Sequence, residues 1–236
     1  MIIDKLIDST RVVSFGCSMV FGEELPDCTK IPRHPSEFAF ASLIAKKYEK
    51  DYLCLAQPGN GNDAIFREIM NYVRNDYIEG DFLVIGWSGQ HRREYFDKSS
   101  SSYTSFGPLA AVKYDWQNIK PASRQQFVKA ALDSYKLFLE NADDNELINE
   151  MINTIVATSG YLRNNHIPFF MCQSLWEINA YHELIPELVD MPEHYTDMSF
   201  MTRIFSNGGH FYPGMHPTLA GHDEWATELI EWISNV

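Results

Sequence analysis

Apolar positions along the chain keep two alternating rhythms. Short runs rich in β-branched and aromatic residues read as buried strands: RVVSF at 11–15, YLCLA at 52–56, DFLVIGW at 81–87 and IPFFMC at 167–172. Between them lie longer stretches with apolar residues three and four apart. SEFAFASLIAKKYEK predicts a helix with Ser36 as its N-cap and Phe38, Leu43 and Ile44 among its apolar positions. After Asp63, the residues Ile65, Phe66, Ile69, Met70 and Val73 keep helical spacing. Helices are also predicted over about 123–140 and 144–164, the second with a stripe of Leu147, Ile148, Met151, Ile152, Ile155 and Val156. A last helix follows Pro217, with Leu229, Ile230 and Ile233 facing inward.

Strands alternating with helices imply a parallel sheet covered on both faces. The expected fold is therefore α/β, a three-layer α/β/α sandwich. Two segments interrupt the alternation. Residues 92–121 include DKSSSSYTSFGP, a polar tract that reads as an exposed loop or insertion, and residues 173–215 read as irregular with a short helical piece near 182–189. No Pro/Gly/Ser-rich linker divides the 236 residues, so one domain over 1–236 is expected.

Composition narrows the function classes. Lys and Arg number 19 against 32 Asp and Glu, a net charge of −13, which argues against binding a phosphate backbone. Nucleic acid is not an expected partner. Cys17, Cys28, Cys54 and Cys172 are widely spaced, with no C-x-x-C pair or Cys/His array, and are expected to be reduced, mostly buried thiols without a metal. The N-terminal MIIDKLIDSTRVV lacks a basic segment followed by a long apolar one, and no apolar run approaches the roughly 20 residues that span a bilayer. A cytoplasmic protein without a membrane partner is the expectation.

In a parallel sheet, ligands sit beyond the carboxyl ends of the strands, and three of these ends are chemically unusual. After the first strand, FGCSMVFG places Ser18 at a sharp turn where its hydroxyl and its N–H can both face a reacting group; its plainer reading is a helix cap. After the second, AQPGNGND brings paired glycines whose N–H groups can point into a cleft. Gly59, Gly61 and Ala64 also spell a weak dinucleotide fingerprint, but Asp81, at the right distance for a ribose, opens the next strand instead of closing it. After the third, GWSGQHRREYF offers the Gln90 amide with His91, Arg92 and Arg93 beside it, where surface ion pairing is the bland account of the arginines. Late in the chain, YPGMHPTLAGH puts His216 before a helix-starting Pro, in reach of the strand ends as a general base. His210 and His222 lie close to it in sequence.

Taken in order, these four segments resemble the SGNH hydrolases, also called the GDSL lipases and esterases, over essentially the whole chain. The resemblance implies a mostly parallel, about five-stranded, flavodoxin-like sheet. It places the nucleophile at Ser18, with Cys17 where that family has Asp. It places the oxyanion hole at the N–H groups of Ser18 and Gly61 and the side chain of Gln90, where the family has Asn, and the base at His216. The implied function is a serine esterase that cleaves an ester or acyl group on a small molecule or carbohydrate, with no cofactor and no metal. One family residue is missing: the position three before His216 is Pro213 instead of Asp, so the usual triad acid is absent from its place. Three arrangements answer that absence: a Ser-His dyad, a carboxylate or carbonyl borrowed from another loop, or a slow or inactive site. Glu177, Asp190 and Asp197 lie in the irregular region that could lend a carboxylate. The alternative function is accordingly a catalytically weak or inactive binding or structural module of the same fold.

Overall fold

The computed structural model describes residues 1–28, 33–113, 116–175, 195–209 and 211–236. Its strands are β1 (Arg11–Phe15), β2 (Asp51–Cys54), β3 (Asp81–Trp87), β4 (Arg93–Asp97), β5 (Ser102–Phe106), β6 (Phe169–Gln173) and β7 (Tyr195–Ser199). The α-helices are α1 (Ile2–Asp8), α2 (Ser18–Phe21), α3 (Phe40–Lys47), α4 (Asn62–Asn75), α5 (Pro108–Lys113), α6 (Ala122–Asn141), α7 (Asp144–Asn164), α8 (Phe200–Ser206) and α9 (Leu219–Asn235).

Five strands form a parallel sheet in the order β2-β1-β3-β6-β7. With the β4–β5 pair set aside this is the flavodoxin-like order, and its switch point falls between β1 and β3. Because successive side chains on a strand point to opposite faces, the strands divide their residues between two apolar layers. Val12, Phe82, Val84, Phe170 and Cys172 pack with Leu6 of α1, Phe40 and Ile44 of α3, and Trp225, Leu229 and Ile233 of α9. Val13, Phe15, Leu83, Ile85, Trp87, Phe169 and Met171 pack with Ile65 and Ile69 of α4 and Ile148, Ile152 and Ile155 of α7. The three-layer α/β/α architecture follows directly from that period of two.

The stripe on α7 is buried as its spacing predicts, apart from half-buried Val156, and Asp143 caps the helix by accepting the N–H groups of Asn145 and Glu146. Other expectations shift. Helix α3 begins at Phe40, because Ser36 Oγ instead donates to Asp27 and accepts the Phe38 N–H, closing an earlier turn. Phe38 is consequently exposed. Strand β7 and helix α1 were not legible in the pattern; α1 is held by Ile2 and Leu6, four residues apart and both buried.

The polar tract expected to be a loop is instead the turn of an antiparallel hairpin. Strands β4 and β5 pair with Tyr95 opposite Thr104 and Phe96 opposite Tyr103, whose rings lie 4.9 Å apart. The Asp97 carboxylate accepts the Ser99 N–H and the hydroxyls of Ser99 and Ser100, so DKSSS is ordered by its own side chains. A third apolar cluster, Phe106 with Val128, Ala131, Leu132 and Tyr135, joins this hairpin to α6. The helical piece expected near 182–189 lies outside the described residues.

Two buried polar residues serve the fold alone. Asp81, 1% exposed at the amino end of β3, accepts from Arg11 Nε and Nη2, from the Tyr72 hydroxyl and from the Ile78 N–H. Its carboxylate is fully engaged at the edge of the sheet opposite the strand ends that face ligands, which removes it as a ribose partner. His222 on α9 is fully buried, packed against Phe40 and Phe200, and its Nδ1 accepts the Phe40 N–H at 3.2 Å. Burial, aided by the charge of nearby His216, pushes its pKa down from 6.5 to about 3.

Asp81→Ala leaves Arg11 and Tyr72 without the carboxylate they share, with only their own bond at 3.0 Å, and is expected to lower stability by about 3–5 kcal/mol in denaturant titrations. His222 stays neutral when folded but takes a proton near pH 6.5 when unfolded, so stability falls as pH drops from 6.5 towards 3, by about 1.4 kcal/mol per pH unit for this one group. His222→Gln, whose carbonyl can still accept the Phe40 N–H, is expected to flatten that decline in the same titrations repeated across pH.

Candidate active site

The carboxyl end of β1 runs into a turn that admits only glycine at its first position. A Cβ on Gly16 would collide with the Val20 side chain and lie 2.9 Å from the Gly86 carbonyl oxygen on β3. This close approach brings the loops after β1 and β3 together. Cys17 then turns inward, fully buried in the apolar layer beneath α3 and α9, while Ser18 opens α2. As the first residue of a helix, Ser18 has no intrahelical acceptor for its N–H. Gly22 ends α2 with φ 77°, and Glu23 N–H returns to the Ser18 carbonyl at 3.0 Å.

The loop after β2 is bonded onto the same turn. Gln57 N–H donates to the Gly16 carbonyl at 3.1 Å, and Asn60 Nδ2 reaches the same oxygen at 3.4 Å. Gly61 is the N-cap of α4, and among the described residues its N–H donates to no group. The adjoining Asn62 clamps the loop after β3: its Oδ1 accepts the Ser88 N–H at 2.7 Å and its Nδ2 donates to the Ser88 carbonyl at 3.1 Å. Gln90 follows two residues later, half-buried, its amide without a partner among the described residues. The segments carrying Ser18, Gly61 and Gln90 are thus tied into one edge of the sheet by named hydrogen bonds. The clamp by Asn62 was not foreseen in the sequence.

A carboxylate that the sequence did not single out faces His216. His216 Nδ1 lies 2.7 Å from Glu24 Oε2, and the other oxygen of Glu24 accepts the Gly214 N–H at 3.1 Å. These residues are 192 positions apart. Both loops use left-handed backbone to meet, Glu24 at φ 68° and Met215 at φ 67°, a conformation that costs a non-glycine residue on the order of 1 kcal/mol. A Cβ at position 214 would meet the Glu24 carboxylate, so a side chain there would have to displace that carboxylate from its present place. Partial burial opposes ionisation of Glu24, but the bonds from His216 and Gly214 and the charge of His216 outweigh it and hold the pKa below 4.5. The neighbouring Glu23 pairs with Arg33, and its second oxygen is 3.8 Å from His216 Nε2. Ser18 Oγ makes no hydrogen bond among the described residues.

Of the carboxylates expected to help, Glu177 and Asp190 lie outside the described residues, and Asp197 is placed on β7 by its backbone alone. The only advance sign of Glu24 was its place in GEEL, six residues after Ser18. Among the clustered histidines, His222 is committed to the core, His216 faces a carboxylate, and His210 is outside the described residues. Among the described residues no group of three or more His, Cys, Asp and Glu side chains could hold a metal ion.

No protein-family model and no curated protein sequence matches the chain. Solved structures do match. A member of the lipolytic protein G-D-S-L family from Veillonella parvula superposes with TM-score 0.53 at 10% identity, over 96% of this chain and 99% of that one. The psychrotrophic esterase EstA from Pseudoalteromonas sp., in a structure inhibited by monoethylphosphonate, gives 0.53 at 11% identity over 96% and 97%. A carbohydrate esterase family 2 enzyme from Corynascus thermopiles, solved with a carbohydrate-binding domain, gives 0.56 at 12% identity over 96% of this chain and 66% of that one. At such identities the likeness is one of fold: this chain has the fold of the G-D-S-L, or SGNH, lipolytic proteins and esterases over nearly its whole length.

Proposed function

We propose that the protein is a serine esterase in which Glu24 replaces the missing triad acid. The observation that carries this reading is the Glu24–His216 hydrogen bond, which supplies from the loop after α2 the carboxylate that Pro213 cannot. Ser18 Oγ attacks the carbonyl carbon of the ester and passes its proton to His216 Nε2. Glu24, ionised at neutral pH, accepts the Nδ1–H, fixing the tautomer and stabilising the imidazolium. The oxyanion of the tetrahedral intermediate is received by the N–H groups of Ser18 and Gly61 and by the Gln90 amide. His216 then returns the proton to the departing alcohol, leaving the acyl group on Ser18. A water, deprotonated by His216, attacks that acyl carbon, and His216 returns the proton to Ser18 Oγ as the acyl–oxygen bond breaks and the acid leaves. Substrate binding must bring Nε2 from the neighbourhood of Glu23 onto Ser18 Oγ, a tightening common between free and substrate-bound hydrolases.

Esters of small molecules or carbohydrates are the proposed substrates. Support for the carbohydrate class comes from the carbohydrate esterase that shares the fold. A second reading, a weak or inactive module, draws on the absence of a bond between Ser18 Oγ and His216. Among the described residues no helix is long and apolar enough to cross a membrane.

A fluorophosphonate probe is expected to label Ser18, identified by peptide mass, and short-chain nitrophenyl esters to be hydrolysed. Ser18→Ala should abolish both, with a rate loss of at least about a thousandfold. Unlabelled protein no faster than Ser18→Ala would establish the inactive module instead. Glu24→Gln is expected to lower kcat by about 10²–10⁴-fold. It has a separate stability signature: ionised Glu24 stabilises the fold above about pH 4.5 and that contribution is lost as pH falls through its lowered pKa, so the deficit of the variant in denaturant titrations should shrink towards acid pH.

A further inference from the structure

An arginine holds the peptide unit whose N–H is the proposed oxyanion donor. Arg92 Nη1 donates to the Asn60 carbonyl oxygen at 3.2 Å. That carbonyl and the Gly61 N–H belong to one planar peptide, and across a trans peptide the two point in opposite directions. The peptide is trans; among the described residues the cis bond is Lys120-Pro121. A guanidinium on the carbonyl side therefore turns the Gly61 N–H away from itself, and that N–H has no acceptor among the described residues.

The geometry points to Arg92 as a positioning residue that orients and polarises the Asn60–Gly61 peptide for the oxyanion. This rests on the esterase reading and on Gly61 as a donor in it. A charge-assisted hydrogen bond is about twice as strong as a neutral one, and a cation on the carbonyl oxygen draws electron density through the amide, making the N–H a better donor. The charge is available for this work. Arg93 is engaged by Glu150 and the Phe138 ring, and Arg67 by Glu68 and Glu94, but among the described residues no carboxylate pairs with Arg92. In a chain with 32 acidic residues against 19 basic ones, an arginine left to a backbone carbonyl stands out.

Arg92 also has close neighbours on two sides. Its own carbonyl oxygen would lie 2.9 Å from a Cβ on Gly61, so the Arg92 backbone passes close to the peptide its side chain holds, and a side chain at Gly61 would force the two apart. Its Cγ and Nε lie 3.5 Å from where a Gly107 Cβ would stand, on the chain leaving β5. Tyr135 of α6 donates to the His91 carbonyl at 2.7 Å, fixing the preceding residue. The hairpin and α6 thereby act as a buttress for the oxyanion loop.

The test compares wild type with Arg92→Met, which keeps the apolar stem and removes the donor and the charge. In nitrophenyl ester kinetics kcat is expected to fall about 10- to 100-fold with KM within about twofold, and fluorophosphonate labelling of Ser18 should slow in parallel. The pH–rate profile should keep its shape, because His216 and Glu24 are untouched, and the melting temperature should show the variant folded under assay conditions. A folded Arg92→Met with wild-type kcat and labelling rate, or with a loss confined to KM, overturns the role while leaving the esterase reading intact. Should that variant not fold, Arg92→Gln carries the same comparison: reduced kcat at unchanged KM supports the role, and wild-type kcat overturns it. Wild-type protein that neither hydrolyses the ester nor is labelled at Ser18 overturns the esterase reading and this role together.

Discussion

The parallel pairing of β1 with both β2 and β3 is the constraint on which the rest of the structure depends. Three parallel neighbours end at one edge, so the loops carrying Ser18, Gly61 and Gln90 emerge side by side although 72 residues of sequence separate the first from the last. The pairing is held close at that edge by two positions without side chains. Gly16 lies against the Gly86 carbonyl, and a Cβ on Gly86 would strike Ser174 and Val20. Any bulk there would push the β1 and β3 loops apart before a reacting group could bridge them. The same pairing sends alternate residues to opposite faces, so a single geometric fact produces both apolar layers and the edge that carries the candidate site.

Charge is distributed at that edge with more care than the net value of −13 suggests. Two adjacent carboxylates follow α2. Arg33 takes Glu23 and His216 takes Glu24, so the pair is not left to repel itself. His222 is packed in the core against Phe40 and Phe200, where burial first, and the charge of His216 second, hold it neutral. The backbone strain at Glu24 and Met215 is placed where it joins the two loops, in keeping with the tendency of left-handed non-glycine residues to gather at functional sites.

Segment 92–121 changes meaning once its packing is known. Ser99, Ser100 and Asp97 form a self-bonded turn, and Tyr95, Phe96, Tyr103 and Phe106 on either side alternate as strand residues. The serine tract dominates the local composition and hides that alternation, which is why the region looks like a loop in one dimension. In three dimensions it carries a small apolar cluster of its own and leans, through Gly107 and Tyr135, on the residues around Arg92.

The sequence by itself determined the α/β class, the buried strands, the long helices and the glycine-bearing turns, because these depend on periodicity and on local backbone freedom. It also singled out Ser18, Gly61, Gln90 and His216 through ordered motifs. It could not show β7, whose segment lacks a clear period, nor the replacement of Ser36 by Ala39 as the cap of α3, which depends on Asp27. Least of all could it join Glu24 to His216. A hydrogen bond across 192 residues leaves no periodic or spacing signal, and a Glu in GEEL reads as one solvated carboxylate among many. Only the tertiary structure, by bringing the loop before α9 onto the loop after α2, decided which acid faces the histidine.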